Sequence, residues 1–414
     1  MAKDEHTGDD AKSWRDDLKG WLHRGVAAAE DMVDERYRAL GDRLGWNTPR
    51  SLLCFTGWNN GRVARFGCRV LASKPGGGPQ ADDRWWEDLA NTYRRWNSKE
   101  VPGAAVTAHW AGQTATVMAD DEGYAFFDME VRDALPPGGP GFWSQASLSV
   151  KGEDGQLVHG QCAIVTPPPG AAFGLISDVD DTVLHTGITN LMVAAKLTFL
   201  RNAHTRSPLA GAPALYRTLT TGDAQATQPM QRPAFYVSSS AWNLFDLLRD
   251  FAELNGLPPG PMMLRDLGID EAKFIKSSGH GHKLVRARRI ADDFPDLPLL
   301  LFGDSGQADA ELYATLAAER PQQVKAILIR DVDPETATDR DAAVREHLSA
   351  TQDVGVPAFL IRDSAEAADR LVELGLLSET QAAAVTSATE QDRNRPTVGE
   401  ASAKGALSPG TAEQ

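Results

Sequence analysis

The sequence predicts an α/β domain built on a Rossmann-like parallel sheet, preceded by an all-β sandwich and an N-terminal helical segment. Three observations carry this. From Phe173 onward, short apolar runs alternate with stretches of helical spacing, the pattern of a parallel sheet flanked by helices. Between 50 and 166, about seven short alternating segments are separated by turn sequences, as in a sandwich. Between Asp10 and Leu44, Trp14, Leu18, Trp21, Leu22, Met32, Val33, Tyr37 and Leu40 fall at helical spacing. The chain of 414 residues thereby divides into a helical segment (1–49), the sandwich (50–166), the α/β domain (171–380) and a polar tail (386–414).

The N-terminal stretch carries charges of both signs on its polar face, so it reads as a helix packed on its own protein, not one lying on a lipid surface. The β segments lie at 52–56, 67–71, 104–110, 113–118, 124–131, 143–150 and 157–165. Among the turns between them are Trp58-Asn59-Asn60-Gly61 and Glu153-Asp154-Gly155. A helical insert at 81–96, with Trp85 and Trp86, breaks the series. The segment 119–127, ADDEGYAFF, resembles the strand-turn-strand of transthyretin-like and CNA-B-like sandwiches. Thr166-Pro167-Pro168-Pro169-Gly170 is a short, stiff linker. Strands then fall at 173–178, 234–238, 261–264, 298–303 and 325–330, with a further short one at 357–361. Helices fall at 241–255, 283–293, 308–319 and 364–374. From Thr386 the chain turns Ala-, Ser-, Thr- and Gly-rich and is expected to be disordered.

A net charge of −15 argues against non-specific nucleic-acid binding and broad adhesion to anionic membranes. An anionic substrate must therefore meet a local basic patch. The stretch 273–289 supplies one, with Lys273, Lys276, Lys283, Arg286, Arg288 and Arg289. Cys54, Cys68 and Cys162 lack metal-ligand spacing and read as free thiols of a reducing compartment. The first twenty residues lack the apolar core of a secretory signal, and no apolar run reaches the ~18–20 residues of a membrane span. The expected location is the cytoplasm.

Ligands of an open parallel sheet bind at the carboxyl ends of its strands. The first strand ends in Asp178, with Asp180 and Thr182 just beyond. The second ends in Ser238-Ser239-Ser240. Lys283 lies in GHGHK, ahead of a helix, and the fourth strand runs into Gly303-Asp304-Ser305-Gly306 with Asp309 close behind. Burying several carboxylates needs compensation, and metal-assisted phosphoryl transfer supplies it. Asp178 is placed as the nucleophile and Asp180 as the general acid/base. Asp178, Asp180, Asp304 and Asp309 are candidate ligands for Mg²⁺, with Asp309 read either as an outer ligand or as an acid at a helix N-terminus. Ser238 and Lys283 would hold phosphoryl oxygens, with Thr182 and Ser240 beside them. His280 and His282 flank a Gly-rich turn and read as turn residues. An EF-hand is excluded, because its glycine and glutamate positions hold Val183 and Thr189.

This constellation resembles the haloacid dehalogenase-like phosphohydrolase superfamily, whose motifs match DVDDT at 178–182, the strand ending in Ser238, Lys283, and GDSGQAD at 303–309. The blocks Gly187-Ile188-Thr189-Asn190, Phe199-Leu200-Arg201-Asn202, Tyr236-Val237-Ser238-Ser239-Ser240-Ala241-Trp242, Leu264-Arg265-Asp266 and His282-Lys283 are similar to those of the actin-patch-associated phosphatidate phosphatase catalytic domain. Ala241 stands where that family often has Pro. The resemblance implies Mg²⁺-dependent hydrolysis of phosphatidate to diacylglycerol through an aspartyl-phosphate on Asp178. It adds Arg265 as a substrate contact and allows peripheral contact with a membrane. It also makes 183–232 the place of a cap, where an apolar helix at 191–200 is followed by Arg201, His204 and Arg206. Two alternatives stay open: a phosphatase of a soluble phosphomonoester, and a non-catalytic lipid- or partner-binding protein.

Overall fold

The structure, a computed structural model, describes residues 49–72, 99–132, 142–179, 210–222, 232–265, 281–332 and 339–394. The expected helices at 10–44, 81–96 and 191–200 lie outside the described residues. The chain divides into two compact units, Met1–Pro49 and Arg50–Gln414, and every described element belongs to the second.

Eight strands of the first half are β1 (Arg50–Asn59), β2 (Val63–Ala72), β3 (Lys99–Glu100), β4 (Ala105–Trp110), β5 (Gln113–Met118), β6 (Tyr124–Glu130), β7 (Trp143–Lys151) and β8 (Leu157–Val165). The seven expected strands are present, and β3 is an addition. They are not separated into two sheets by their hydrogen bonding. The order β3-β2-β1-β8-β7-β4-β5, with β6 on β2, joins all of them in one mixed sheet, and its β1–β8 pair is parallel. The sheet curls until its ends approach, where Gln113 Nε2 of β5 donates to the Glu130 carbonyl of β6 at 2.8 Å. Alternate residues, among them Phe66, Cys68, Val106, Leu148 and Ile164, fill the interior of the curl. Trp58 and Asn59, expected in a turn, extend β1.

The second half is a six-stranded sheet of β9 (Gly174–Asp178), β10 (Ala234–Ala241), β11 (Met262–Arg265), β12 (Leu299–Asp304), β13 (Val324–Arg330) and β14 (Ala358–Ile361). All its pairings are parallel, in the order β11-β10-β9-β12-β13-β14. Numbered within the sheet this is 3-2-1-4-5-6, the doubly wound order. Its strands read as continuous apolar runs because helices cover both faces. Helices α1 (Ala212–Thr221), α2 (Phe245–Leu254), α6 (Ser364–Glu373) and α7 (Glu379–Arg393) pack on one face, against Leu175, Tyr236, Leu300 and Leu328. Helices α3 (Gly281–Asp293), α4 (Asp309–Glu319) and α5 (Asp339–Ala350) cover the other, against Ile176, Val237, Leu301 and Ile329. Neighbouring strand residues thus divide between two cores, as the two-residue strand period requires.

Two expectations need correction here. The segment 183–232 is not all cap: its end, α1, lies in the α/β layer with Leu215, Tyr216 and Leu219 buried. The tail does not begin at Thr386, because α7 runs to Arg393. Ser378 and Gln381 close a capping box at its start. Gln381 Nε2 donates to the Gly222 carbonyl at 3.0 Å and the Gly211 amide to Asp392 at 2.9 Å, so α7 ties down both ends of α1.

The two sheets meet through an aromatic contact and an ionic one. Phe55 of β1 lies 4.7 Å from Trp242 and 4.6 Å from Phe245, between ring centroids. Asp293 closes α3, where the helix dipole disfavours an acid. Trp58 Nε1 (2.8 Å), Asn60 Nδ2 (3.2 Å) and Arg65 Nη1 (3.4 Å) from the first sheet surround it and compensate.

Candidate active site

The strand order reverses between β9 and β12, and the crevice at such a switch point is where doubly wound sheets bind ligands. Asp178 ends β9 and Asp304 ends β12, on neighbouring parallel strands. Asp309 opens α4, directly after the turn that leaves β12. Asp178, Asp304 and Asp309 are all buried, and one carboxylate oxygen from each lies within 4.8 Å of the others.

Local hydrogen bonds orient these acids. Asp304 Oδ1 accepts from the amides of Gly306 at 2.6 Å and Gln307 at 3.2 Å, which closes the turn beneath it. Asp309 Oδ2 accepts from the Asp304 amide at 3.2 Å. Gly303 permits this approach: a Cβ there would stand 2.6 Å from Asp309 Cβ and 2.7 Å from Asp309 Oδ2. Lys283 is fully buried in the first turn of α3, a helix that begins at Gly281 and so includes it. Its Nζ lies 3.0 Å from Asp178 Oδ1, 2.9 Å from Asp309 Oδ1 and 2.8 Å from Gln307 Oε1. Lys283 offsets part of the charge of three buried carboxylates, and a bound cation would offset more of it. Hard oxygen donors converging in this way suit a divalent metal, and of the biological divalent ions they match Mg²⁺ or Ca²⁺ better than softer metals.

Ser238 is buried near the carboxyl end of β10, one strand over from Asp178. Its Oγ accepts from the Ser240 amide at 2.9 Å. β10 continues to Ala241, past its expected end, with an irregular register against β11 after Val237. Arg265 is the last residue of β11, and its side chain lies outside the described residues, as do Asp180, Thr182 and His280. The structure therefore brings together Asp178, Asp304, Asp309 and Lys283, and sets Ser238 and Ser240 on the adjacent strand end.

Reading the sequence missed other members of the site. Arg330 ends β13 beside Asp304 in register. A cavity of about 30 Å³, room for a water molecule, lies between Asp178, Tyr216, Asp304, Arg330 and Asp363. The strand-end rule that found Asp304 applies equally to Arg330. Tyr216 comes from α1, which was not expected. Its hydroxyl pairs with Ser177 Oγ at 2.8 Å, and Ser177 Oγ in turn donates to the Asp178 carbonyl at 2.9 Å. Burial, reinforced by Asp178, pushes the Tyr216 phenol up to about 12, against the opposing effects of the Ser177 hydrogen bond and Arg330.

Residues 173–331 match the family model described as phosphatidate phosphatase APP1, catalytic domain. Phosphatidate phosphatase APP1 of Saccharomyces cerevisiae is 35% identical over 163 residues, which are 38% of this chain and 26% of that protein. An uncharacterized protein of Schizosaccharomyces pombe is 29% identical over 168 residues, 39% of this chain and 25% of its own length. The chain thus spans about a quarter of the length of the curated relatives it matches. Among solved structures, a carbohydrate acetylesterase from Xanthomonas citri aligns over 79% of this chain and 76% of its own at 12% identity. The TM-score is 0.28, too low for a fold argument. Residues 173–331 are thus similar to the catalytic domain of phosphatidate phosphatase APP1.

Proposed function

We propose that the chain is a Mg²⁺-dependent phosphatidate phosphatase that forms an aspartyl-phosphate on Asp178. The observation that carries this reading is the buried group of Asp178, Asp304, Asp309 and Lys283 at the sheet's switch point. A phosphomonoester dianion approaches a carboxylate only where positive charge offsets the repulsion. Asp304, Asp309 and the second oxygen of Asp178 would hold Mg²⁺, which supplies that charge.

Asp178 Oδ attacks phosphorus, and the phosphorus–oxygen bond to the glycerol carbon breaks on the opposite side. Asp180, two residues on, gives its proton to the departing alkoxide, so that diacylglycerol leaves as a neutral alcohol. Water then attacks the phosphorus of the aspartyl-phosphate. Asp180 takes the water's proton, and Asp178 and inorganic phosphate are released. Lys283 and Ser238 bind phosphoryl oxygens, and Lys283 also fixes Asp178 in its attacking position. Thr182, Ser240 and Arg265 would complete the contacts to the substrate. Among the described residues no helix is long and apolar enough to cross a membrane. The test is phosphate release from phosphatidate in mixed micelles. Chelation should silence it and added Mg²⁺ restore it; turnover indifferent to chelation contradicts the proposal.

A further inference from the structure

Ser177 places a hydroxyl inside an apolar strand. β9 reads Gly-Leu-Ile-Ser-Asp and is buried throughout. Ser177 shares the face of Leu175 and stands in register with Tyr236 and Phe302, in the core that also holds Tyr216. A buried hydroxyl is costly unless its hydrogen-bonding capacity is used. Here both sides are used: Ser177 Oγ donates to the Asp178 carbonyl at 2.9 Å and lies 2.8 Å from the Tyr216 hydroxyl. A serine hydroxyl has one proton. The carbonyl can only accept, so that proton goes to Asp178, and Tyr216 donates to Ser177. The chain of bonds therefore runs one way, from Tyr216 through Ser177 to the backbone of Asp178, and each bond polarises the next.

What it holds is the peptide between Asp178 and Val179. The N–H of that peptide donates to the Val237 carbonyl of β10 at 3.2 Å. In a trans peptide the carbonyl points the other way, to the side of β12. Pairing with β12 stops one residue earlier, at Ser177 with Phe302. The Ser177 hydroxyl thus stands in for the next ladder bond, and the peptide from which the chain runs on to Asp180 is gripped on both sides. Tyr216 is itself well fixed. It is buried, its ring centroid lies 5.3 Å from that of Phe302, and α7 ties both ends of its helix.

We propose that Tyr216 is a positioning residue: through Ser177 it fixes the Asp178–Val179 peptide, and so aims the Asp178 carboxylate and the start of the segment that carries Asp180. The proposal rests on the reading of Asp178 as the nucleophile. It gives α7, which lies beyond residues 173–331, a part in the chemistry by way of α1.

The test uses the full chain with Mg²⁺ and mixed-micelle phosphatidate, for Tyr216→Phe, Ser177→Ala and the double variant. Tyr216→Phe keeps the ring against Phe302 and removes only the hydroxyl. Each single variant should lower kcat about tenfold, because misplacing a reacting group is costly, and leave KM within about twofold. The double variant should lose about as much as Ser177→Ala alone, because Tyr216 acts only through Ser177. Amide hydrogen exchange followed by NMR gives a readout free of activity. Tyr216→Phe should speed exchange at Val179 about tenfold and leave Leu175, bonded to the Pro233 carbonyl earlier on the same strand, unchanged. A tyrosine that merely supported the fold would loosen both. The proposal is overturned by an unchanged kcat in Tyr216→Phe, by losses that multiply in the double variant, by a raised KM at constant kcat, or by equal changes at the two amides. A wild type that releases no phosphate, with Val179 alone loosened in Tyr216→Phe, would overturn the nucleophile reading and leave the hold on the peptide standing.

Discussion

Lys283 Nζ stands 3.0 Å from Asp178 Oδ1, both side chains almost fully buried, and the same ammonium lies 2.9 Å from Asp309. A cation held between two acids ties α3 to β9 and α4, and in the proposed reaction it would also position Asp178 as the nucleophile. Lys283→Met leaves the carboxylates without it, and removing one partner of a buried pair costs about 3–5 kcal/mol. Urea denaturation should show a loss of that order, which added Mg²⁺ narrows. A loss below about 1 kcal/mol would show that the pair is not a buried charge relationship.

Asp304 has a different partner set, two backbone amides of its own turn. In the proposed site it would also be a metal ligand. Wild-type protein should gain about 2.7 kcal/mol at a Mg²⁺ concentration a hundredfold above the dissociation constant. Asp304→Asn should abolish the gain, read as a Mg²⁺-dependent rise in Tm. An undiminished rise in the variant would move the metal elsewhere.

Gly303 is required by space. Asp309 has no exposed side to withdraw to, and a Cβ at 303 would meet it at 2.6 Å. Gly303→Ala should cost about 1–3 kcal/mol, the usual penalty of overpacking, and lower turnover by displacing Asp309. Denaturation and activity should fall together; a variant with both unchanged contradicts the packing described.

Tyr216 gives the protein an alkaline limit. Its phenol is raised from an ordinary value of 10.0 to about 12 in the folded chain, mainly by burial. Below pH 10 it is protonated in both states and its contribution is complete. Between about 10 and 12 only the unfolded chain releases the proton, so stability falls as pH rises through that window, by about 3 kcal/mol in all. Burial also raises Tyr236 and Tyr313, the latter with help from Asp309 and Asp178. Absorbance at ~295 nm should show these phenols ionising only as the protein unfolds. Tyr216→Phe should flatten the decline above pH 10.

The strands of both halves were legible because alternating or continuous apolar runs bounded by turn residues have few other meanings. Asp178, Ser238, Lys283, Asp304 and Asp309 were legible because each lies at a strand end or a helix start. Arg330 was equally legible and was passed over, since a basic strand end suggested no ligand role by itself. Helix α5 was not seen: only Val344 and Leu348 among its larger apolar residues are buried, too few to mark a face. Helix α7 was hidden by its composition. It packs through Ala382 and Val385, small side chains that resemble those of a disordered tail, although Ser378 and Gln381 marked its start. The joining of the first half's strands into one sheet was not readable, because strand pairing partners depend on contacts far apart in sequence.

The account's central claim is tested most directly by phosphate release, with Mg²⁺, from mixed-micelle phosphatidate beside a panel of soluble phosphomonoesters, for wild type and Asp178→Asn. Wild type should prefer phosphatidate, and Asp178→Asn should lose at least about a thousandfold in turnover. Equal turnover by the variant, or by the wild type on the soluble panel, would contradict it.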